Sequence, residues 1–536
     1  MADMDCASTR IPYRQTGCFS KTVVDYIDQA PSLKDFFNYP PTIQGVKKAI
    51  EDRKQFNYNR EVLVNELRRQ YAPVPVSDKT KSNIEALASA NTFTFTTAHQ
   101  NNIFTGPLYF IYKILHTIKL AEYCRTHLPG YNFVPVFYIG TEDADLDELN
   151  HVHIGGEKLT WKTKQTGAVG RMKVDKELIK VISLMEGQLS VLPFGNEIVK
   201  LMKECYKEGD MIQSSTFKIV NALFGEYGLV VLLPDNAGLK KQMIPIFKDD
   251  LLNQTASGIV EKTAEKLSNA GYKVQANPRE INLFYLKDSI RERIESFGTK
   301  YSVLSTKISF SKDELLAELN EHPDRFSPNV ILRGLYQETI LPNLAFVGGG
   351  GETAYWLQLK GLFNHYKVPF PMLVLRNSFL IVEKSWQERI AKLGFTIDDF
   401  FVSQEELLNR IVMNESRNEV KLNGSLSKLE QLYESFKKQA SAVDITLEKH
   451  VEALKLRTVQ RLQELEKKML RAEKRKFTDQ QRQINTIKEH LFPQNGLQER
   501  IENISYYYAK WGSEFIHKLY EHSLNLEQEF VILQEK

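Results

Sequence analysis

A histidine and several amides follow an apolar stretch early in the chain. The run FTFTT alternates as a β-strand, and the polar side chains of Thr97, His99, Gln100 and Asn101 come at its end. Gly106 and the proline after it then begin an amphipathic segment with helical spacing. In parallel sheets, ligands bind beyond the carboxyl ends of the strands, where the start of a helix attracts anions. We predict a phosphate or carboxylate site here; the alternative is an exposed connecting loop.

An acid-rich stretch follows the next predicted strand. VPVFYIG has the apolar character of a buried strand, and Glu142, Asp143, Asp145 and His151 lie in the residues after it. Loops after two strands of one βαβ unit can share a crevice, so the acids are expected beside the anion site. They could bind an ammonium group, or Mg²⁺ through oxygen ligands. Other acids of this stretch are ordinary first-turn residues of a helix.

A further polar turn contains four consecutive glycines. VGGGGETAYW joins an apolar run to a helical one, and its glycines allow a ligand to approach the backbone closely. The stretch matches neither the dinucleotide fingerprint nor the Walker loop, so neither NAD nor flavin is predicted. The binding residues predicted in this turn are Gly348, Gly349, Gly350, Gly351, Glu352 and Tyr355.

Two arginines lie in the stretches that flank the glycine-rich turn. Upstream, VILRGLYQE offers Arg333, Tyr336 and Gln337, and downstream LVLRNSF offers Arg376 and Ser378 at the end of a predicted strand. Arginine recognises carboxylates through paired hydrogen bonds, so these residues are predicted to bind an acidic substrate. Structural salt bridges are the alternative for each arginine.

The elements that position these residues predict an α/β fold. Strand, helix and strand over residues 93–140 form a βαβ unit with a right-handed crossover, and later apolar runs extend the pattern. We predict a mostly helical N-terminal part over 1–90 and a Rossmann-like, doubly wound core over 91–402. Insertions into this core are expected near 150–215 and 250–330.

Residues 403–536 are poor in glycine and rich in Glu, Lys, Gln and Leu. Apolar residues there keep a heptad spacing, which predicts a helical domain with a coiled-coil seam. An exposed seam favours a homodimer, and packing on the chain's own returning helix is the alternative. The seam residues are Leu447, Val451, Leu454, Leu462, Leu465 and Met469.

The composition fits an ordinary globular protein, with a net charge of +3 and 26% charged residues. This near balance gives no nucleic-acid footprint. The four cysteines are widely scattered, which argues against a zinc site or a disulfide framework. The sequence MADMDCASTR lacks the apolar core of a secretory signal, and no apolar run is long enough to span a bilayer. A cytoplasmic location without membrane or nucleic-acid partners is therefore expected.

Several stretches, taken together and in this order, resemble the cysteine ligases of bacillithiol biosynthesis in the form found in the Bacteroidetes. They are TAHQNNIFTGPLYFIYK, TEDADLDELNH, TGAVGR, FSPNVILRGLYQETILP, GGGGETAYW, LRNSF and LFPQNGLQER. The resemblance implies a Rossmann-like core related to adenylate-forming nucleotidyltransferases, with connecting-peptide insertions and a C-terminal coiled coil that supports dimerisation. The implied activity joins cysteine to glucosaminyl-malate.

The resemblance also suggests roles for the polar loops. A carboxylate does not react with an amine without activation, so ATP, with Mg²⁺, is a possible cosubstrate. The first loop would then face the phosphate, the acids would hold an ammonium group or Mg²⁺, and Arg333 and Arg376 would bind the malate carboxylates. Ala98 stands where the family usually has glycine, and Ala144 stands where it usually has histidine. The alternatives are another adenylate-forming ligase of the same fold and a dimeric scaffold with a decayed site.

Overall fold

The computed structural model describes residues 4–416 and 421–536, which form two compact units. The first unit contains the chain up to Ile381 together with Gly496–Lys536, and the second is Val382–Asn495. The predicted helical domain of 403–536 differs from this division, because residues from Gly496 onward pack into the core of the first unit.

The first unit is built on a five-stranded sheet in the order β13-β12-β2-β3-β6. All of its neighbouring strands are parallel, which confirms the predicted Rossmann-like class. The strands of the chain are β1 (Cys6–Pro12), β2 (Thr92–Gln100), β3 (Asn132–Gly140), β4 (His151–Ile154), β5 (Glu157–Thr160), β6 (Val230–Leu232), β7 (Leu283–Lys287), β8 (Ile290–Phe297), β9 (Lys300–Val303), β10 (Ser309–Ser311), β11 (Phe326–Pro328), β12 (Asn343–Gly348), β13 (Met372–Leu375), β14 (Ser378–Val382) and β15 (Glu529–Glu535).

Helices cover the sheet and connect its strands. Those that precede the second unit are α1 (Tyr13–Thr16), α2 (Lys21–Ile27), α3 (Ile43–Arg53), α4 (Arg60–Tyr71), α5 (Asp78–Ala86), α6 (Tyr109–His127), α7 (Leu146–Leu149), α8 (Lys176–Leu189), α9 (Gly195–Cys205), α10 (Ile212–Phe224), α11 (Ala237–Lys240), α12 (Ile244–Asn253), α13 (Thr255–Asn269), α14 (Lys312–Glu321), α15 (Val330–Ile340), α16 (Gly350–Trp356) and α17 (Lys360–Tyr366). The α6 crossover between β2 and β3 is buried from Phe110 to Ile118, because apolar residues surround it on every side.

Two insertions enlarge the core. The first contains the antiparallel β4–β5 hairpin and helices α8 to α10. The second contains a five-stranded antiparallel sheet in the order β10-β9-β8-β7-β11. The turn between β7 and β8 contacts the segment after β5, because Thr166 Oγ1 donates a hydrogen bond of 3.1 Å to the carbonyl oxygen of Ser289.

The second unit is helical, with α18 (Lys384–Lys392), α19 (Gln404–Glu415), α20 (Asn423–Val443), α21 (Leu447–Lys474) and α22 (Thr478–Leu491). Helices α20 and α21 pack side by side, with the Tyr433 and Thr458 hydroxyls 2.7 Å apart. Helix α21, which carries the predicted seam, therefore packs within the chain on α20 rather than on the returning helix, and the seam is only partly covered. Leu447, Leu454 and Leu465 stay exposed.

The chain returns to the first unit through α23 (Ile504–Trp511), α24 (Ser513–His522) and the strand β15. β15 pairs antiparallel with β1 over its full length, in a three-stranded sheet with β14. The sequence predicts only helix for this return. In the described part of the chain, no helix is long and apolar enough to cross a membrane.

Candidate active site

A cavity of about 380 Å³ lies at the carboxyl ends of the central strands. The loops after β2, β3 and β12 form its walls, together with α6, α15 and the start of β8. Its charged and titratable lining residues are His99, Tyr109, Lys113, Tyr138, Glu142, Asp143, Arg291, Arg333, Glu352, Tyr355, Arg376 and Arg500. Five basic side chains thus share the cavity with three carboxylates, so its chemistry is that of a site for charged ligands.

His99 lies among the basic residues at one end of the cavity, which we call the basic end (His99, Lys113, Arg333 and Arg376). Burial holds the pKa of His99 well below its usual value, and the three cations lower it further. The imidazole is therefore neutral near pH 7. Its Nε2 atom is buried without a hydrogen-bond partner in the described structure, so it can donate to or accept from a ligand.

Lys113 projects from the buried middle of α6 and is only 2% exposed. Its Nζ contacts the Glu352 carboxylate and donates a 3.0 Å hydrogen bond to the carbonyl oxygen of Ala98. Glu352 also accepts a 2.8 Å hydrogen bond from the backbone N–H of Gly349. Burial lowers the pKa of Lys113, and Glu352 opposes that change. The pair fixes the glycine-rich turn against α6.

Arg376 is held by a carboxylate from the returning chain. Its Nη1 and Nη2 lie 3.0 and 2.7 Å from the two oxygens of Glu499, and Nη1 also donates to Ser378 Oγ. Burial disfavours the guanidinium charge, but Glu499 outweighs burial and raises the pKa of Arg376. Only Nε has no partner within the described residues, so one N–H is left for a ligand.

Arg333 reaches the basic end from α15. Its guanidinium donates a hydrogen bond to the Tyr355 hydroxyl and lies 5.8 Å from the centre of the Tyr138 ring. It makes no ion pair within the described residues, in contrast to Lys113 and Arg376. Its positive charge is therefore open to an acidic ligand.

Glu142 belongs to the opposite end of the cavity, which we call the acidic end (Glu142 and Asp143). Its carboxylate contacts Nζ of Lys240, a fully buried lysine that also donates to the Asp324 carbonyl at 3.1 Å. Asp235 lies 3.6 Å from the same Nζ and forms a two-bond pair with Arg171, each bond 2.7 Å long. Burial raises the pKa of Glu142, although Lys240 opposes this.

Asp143 is oriented by hydrogen bonds rather than by a cation. Gln100 Nε2 donates to Asp143 Oδ2 at 2.8 Å, and the backbone N–H of Asp145 donates to Asp143 Oδ1 at 2.9 Å. Tyr138 also lines the cavity, with its ring 5.8 Å from the Arg333 guanidinium. Burial raises the pKa of Tyr138, Arg333 lowers it and Glu142 raises it, so charges at both ends act on its hydroxyl. The cavity is thus polarised, with a basic end and an acidic end.

The acids predicted to bind Mg²⁺ do not fit that ion. Glu142 already pairs with Lys240, and Asp145 is exposed and does not line the cavity. Within residues 4–416 and 421–536, no cluster of three or more His, Cys, Asp or Glu side chains could hold a metal ion.

Two family models match this chain end to end. The model described as "Bacillithiol biosynthesis BshC, N-terminal Rossmann-like domain" covers residues 4–377, and its companion "C-terminal coiled-coil domain" covers residues 379–535. The chain belongs to the bacillithiol biosynthesis BshC family. The boundary between the two matches lies close to the junction of the two compact units at Ile381.

Curated relatives from the same family match the chain over nearly its whole length. One from Flavobacterium johnsoniae, named "Putative cysteine ligase BshC", is 41% identical over 533 residues, which is 99% of each chain. Relatives with the same name from Flavobacterium psychrophilum and Cytophaga hutchinsonii are 40% and 38% identical, and they cover 99% and 94% of each chain.

The structure brings many of the predicted site residues of this BshC family member into one cavity. They come from five separate stretches of sequence, as expected where parallel strands end at one edge of a sheet. The predicted residues that line the cavity are His99, Gln100, Glu142, Asp143, Arg333, Gly349, Gly350, Gly351, Glu352, Tyr355 and Arg376.

Other predicted residues lie outside the cavity lining and have structural partners. The Thr97 hydroxyl donates to the Val347 carbonyl at 2.7 Å, and the Tyr336 hydroxyl donates to the Pro234 carbonyl at 2.8 Å. Gln337 donates to the buried Glu338 at 2.9 Å. Ser378 contacts the cavity only through Arg376, as described above.

Four further predicted residues also lie apart from the cavity. Asn101 is fully buried behind it, Asp145 is exposed at the start of α7, and Gly348 is buried within β12. His151 is on β4, with its ring 5.4 Å from that of His153. None of these lines the cavity.

The predicted anion site at the start of the crossover helix is not formed. Helix α6 begins at Tyr109 rather than at Gly106, and the N–H of Leu108 donates to the Glu502 carbonyl at 2.8 Å. Gly106 has a φ of +61° and its carbonyl oxygen accepts from Asn503 Nδ2 at 2.5 Å. The returning chain therefore occupies the position expected for a ligand.

Ala98 causes no backbone strain at the family's glycine position. It lies within β2, pairs with Tyr138 of β3, and is not among the residues with positive φ. A glycine is therefore not required there for conformational reasons.

Sequence reasoning missed several residues that define the cavity: Tyr109, Lys113, Tyr138, Lys240, Arg291, Glu499 and Arg500. Lys113 alone carries a local signal, because it is the one lysine in a mostly apolar stretch from Phe110 to Ile118. A charged residue in such a run is either paired or functional.

Proposed function

We propose that this BshC family member is a ligase that joins the carboxyl group of L-cysteine to the amine of glucosaminyl-malate. The observation that carries the proposal is the polarised cavity, in which unpaired cations and an unpaired carboxylate face one space. Its relatives are named cysteine ligases, which supports the ligation of cysteine. Thiol synthesis would take place in the cytoplasm. The four free cysteines fit such a reducing compartment.

The basic end would bind the malate carboxylates. Lys113 and Arg376 are already paired with acids, so Arg333 and Arg500 are the cations of this region that make no ion pair in the described residues. Two guanidinium groups match two carboxylates. Arg376 would add one hydrogen bond through Nε, and His99 would add another through Nε2.

The acidic end would assist the amine. An attacking amine must lose a proton as the amide forms, and Glu142 has a pKa raised by burial, which makes it a better base than an exposed carboxylate. Lys240 would keep that carboxylate in place and balance its charge. Tyr138 would separate the malate region from the reacting groups.

ATP is the proposed activator of the cysteine carboxyl group. In the scheme of adenylate-forming enzymes, the cysteine carboxylate oxygen attacks the α-phosphorus of ATP and releases pyrophosphate. The amine of glucosaminyl-malate then displaces AMP from the cysteinyl group. The cations that line the cavity would stabilise the phosphate charge that develops in these steps.

The reaction can be tested with the purified full chain. L-Cysteine, glucosaminyl-malate and ATP are incubated together, and the amide product and AMP are measured by mass spectrometry, with each component omitted in turn. We expect product only in the complete mixture. His99→Asn should lower kcat/KM by about tenfold or more, because the variant loses a positioned donor or acceptor. A folded chain that forms no amide under these conditions would refute the proposal.

We also propose that the second unit mediates a homodimer. The face it leaves exposed is apolar on both hairpin helices, with Leu432 and Phe436 on α20 and Leu454 and Leu465 on α21 each more than 40% exposed. Soluble proteins rarely leave such a stripe uncovered.

A further inference from the structure

Asp143 and Arg291 are opposite charges that face the same part of the cavity without pairing. Both line the cavity. Burial lowers the pKa of Arg291, and the negative charges of Glu142 and Asp143 oppose that change. Within residues 4–416 and 421–536, neither forms an ion pair. By contrast, Glu142, Glu352 and Glu499 each have a basic partner.

The Asp143 carboxylate is fixed by neutral donors. Its two oxygens accept from the Gln100 side chain and from the Asp145 backbone, as described above. A carboxylate accepts about four hydrogen bonds, so acceptor capacity is left for a cationic group.

The Arg291 guanidinium is fixed by packing. It lies 3.9 Å from the centre of the Phe284 ring, and Nε donates to Ser327 Oγ at 3.2 Å. The terminal nitrogens Nη1 and Nη2 make no hydrogen bond within the described residues. They can therefore bind a carboxylate in the two-bond geometry typical of arginine.

Thr141 gives an independent sign of a ligand in this region. The residue is fully buried and lines the cavity, yet its Oγ1 has no hydrogen-bond partner in the described structure. Buried hydroxyls are almost always hydrogen-bonded, so a missing ligand group is the simplest partner.

The segment TGAVGR, residues 166–171, holds both charged residues in place. Its Val169 and Gly170 N–H groups donate to the carbonyl oxygens of Asp143 at 2.7 Å and Thr141 at 2.9 Å. A Cβ on Gly170 would lie 2.4 Å from the carbonyl oxygen of Thr141, so only glycine permits this contact. At the other end of the segment, Thr166 donates a hydrogen bond to the β7–β8 turn, which precedes Arg291.

We propose that Asp143, Arg291 and Thr141 form a subsite for the zwitterion of a free α-amino acid. Asp143 would bind the ammonium group and Arg291 the carboxylate. Thr141 Oγ1 would either accept a hydrogen bond from the ammonium group or donate one to the carboxylate. The identity of the amino acid as cysteine rests on the proposed function. The segment 166–171 positions this subsite, which gives the sequence motif a physical role.

The subsite can be tested by calorimetry with three thiols under reducing conditions: L-cysteine, cysteamine, which lacks the carboxylate, and 3-mercaptopropionate, which lacks the ammonium group. The wild-type chain should bind L-cysteine about tenfold or more tightly than either analogue. Arg291→Gln should weaken the binding of L-cysteine by a similar factor but leave the affinity for cysteamine unchanged. Asp143→Asn should weaken the binding of L-cysteine but leave the affinity for 3-mercaptopropionate unchanged.

Two matched substitutions control for charge and folding. Arg293→Gln, on the same strand but exposed, and Asp147→Asn, exposed on α7 four residues after Asp143, should leave all three affinities unchanged. Thermal unfolding of each variant reports on its fold.

Three results would overturn the subsite: no saturable binding of L-cysteine or of any other free α-amino acid, equal loss of affinity for L-cysteine and cysteamine in Arg291→Gln, or no loss of affinity in either variant. If another amino acid binds with the same discrimination while no thiol is ligated, the subsite stands and the proposed function fails.

Discussion

Arg376 and Glu499 form a two-bond ion pair in the interior, although 123 positions separate them in the sequence. Both side chains are almost fully buried, at 4% and 0% exposure. Glu499 also accepts a hydrogen bond of 3.3 Å from the backbone N–H of Phe379. The returning chain therefore fixes one wall of the cavity as well as completing the core.

Loss of the Glu499 charge should destabilise the first unit. Glu499→Gln keeps the shape of the side chain but leaves Arg376 buried without its counter-charge, which costs roughly 3 kcal/mol of unfolding free energy. Chemical denaturation measures the change. Glu521→Gln, which breaks an exposed pair with Lys518, is the control and should cost less than about 1 kcal/mol. Equal effects of the two substitutions would show that the buried pair is not important for stability.

Arg333 should determine the affinity for the malate part of the substrate. Arg333→Gln removes an unpaired guanidinium from the basic end, so KM for glucosaminyl-malate should rise about tenfold or more while KM for L-cysteine stays the same. Steady-state kinetics with each substrate varied in turn measure both values. Arg10→Gln, on the exposed strand β1, is the control. A rise in KM for L-cysteine alone would place the malate elsewhere.

Restoring the family residues at positions 98 and 144 should not improve the enzyme. Ala98→Gly should lower the unfolding free energy by about 1 kcal/mol, because glycine weakens a strand and the strand here needs no positive φ. Ala144 does not line the cavity, so Ala144→His should leave kcat/KM unchanged. A tenfold gain in the double variant would instead show that the departures had damaged the site.

His116 should make stability depend on pH. Its Nδ1 accepts from the Asn377 N–H at 3.1 Å and its Nε2 lies 2.6 Å from the Asn525 carbonyl oxygen, so the folded state requires the neutral ring. Burial lowers the pKa of His116 from 6.5 to about 4. His116 takes up a proton below pH 6.5 in the unfolded chain but only near pH 4 in the folded chain. The contribution of the neutral ring to the unfolding free energy is therefore lost as the pH falls from about 6.5 to about 4.

The measurement compares the unfolding free energies of the wild type and His116→Gln between pH 7 and 4. Their difference should shrink by roughly 3 kcal/mol over this range. His127→Gln, at the exposed end of α6, controls for the loss of any histidine. A difference that stays constant with pH would mean that the folded state tolerates the charged ring.

The apolar face of the α20–α21 hairpin should mediate self-association. Leu454→Lys with Leu465→Lys places two charges on the exposed face, so a wild-type dimer should become a monomer in analytical ultracentrifugation. Gln460→Lys with Gln463→Lys adds the same charge at exposed polar positions of the same helix and should have no effect. A monomeric wild type, or a dimer that survives the leucine substitutions, would reject this interface.

The sequence predicts what local patterns control. The alternation of FTFTT and the apolar run before Gly140 give β2 and β3, and their parallel pairing brings His99 and Glu142 to one edge. That juxtaposition follows from the topology of a βαβ unit alone. The same reasoning places the glycine-rich turn after β12 beside them.

The missing part of the site depends on contacts between distant segments. Arg291 enters from an insertion, Lys240 approaches Glu142 from α11, and Glu499 comes from beyond the second unit. No spacing in the sequence encodes such pairs, because each partner has an ordinary local pattern. For the same reason the start of α6 was predicted as an anion site, although Glu502 and Asn503 occupy it.

The discontinuity of the first unit has a consequence for biosynthesis. The ribosome makes β1 and the whole central sheet, then all of Val382–Asn495, and only afterwards the segment with Glu499 and β15. During that interval β1 has no antiparallel neighbour and Arg376 has no counter-charge, whereas the second unit is continuous and can fold as it emerges. The nascent first unit thus carries an open sheet edge, which is prone to aggregation. A stop codon anywhere before Glu499 should yield a chain that needs chaperones and cannot complete its cavity.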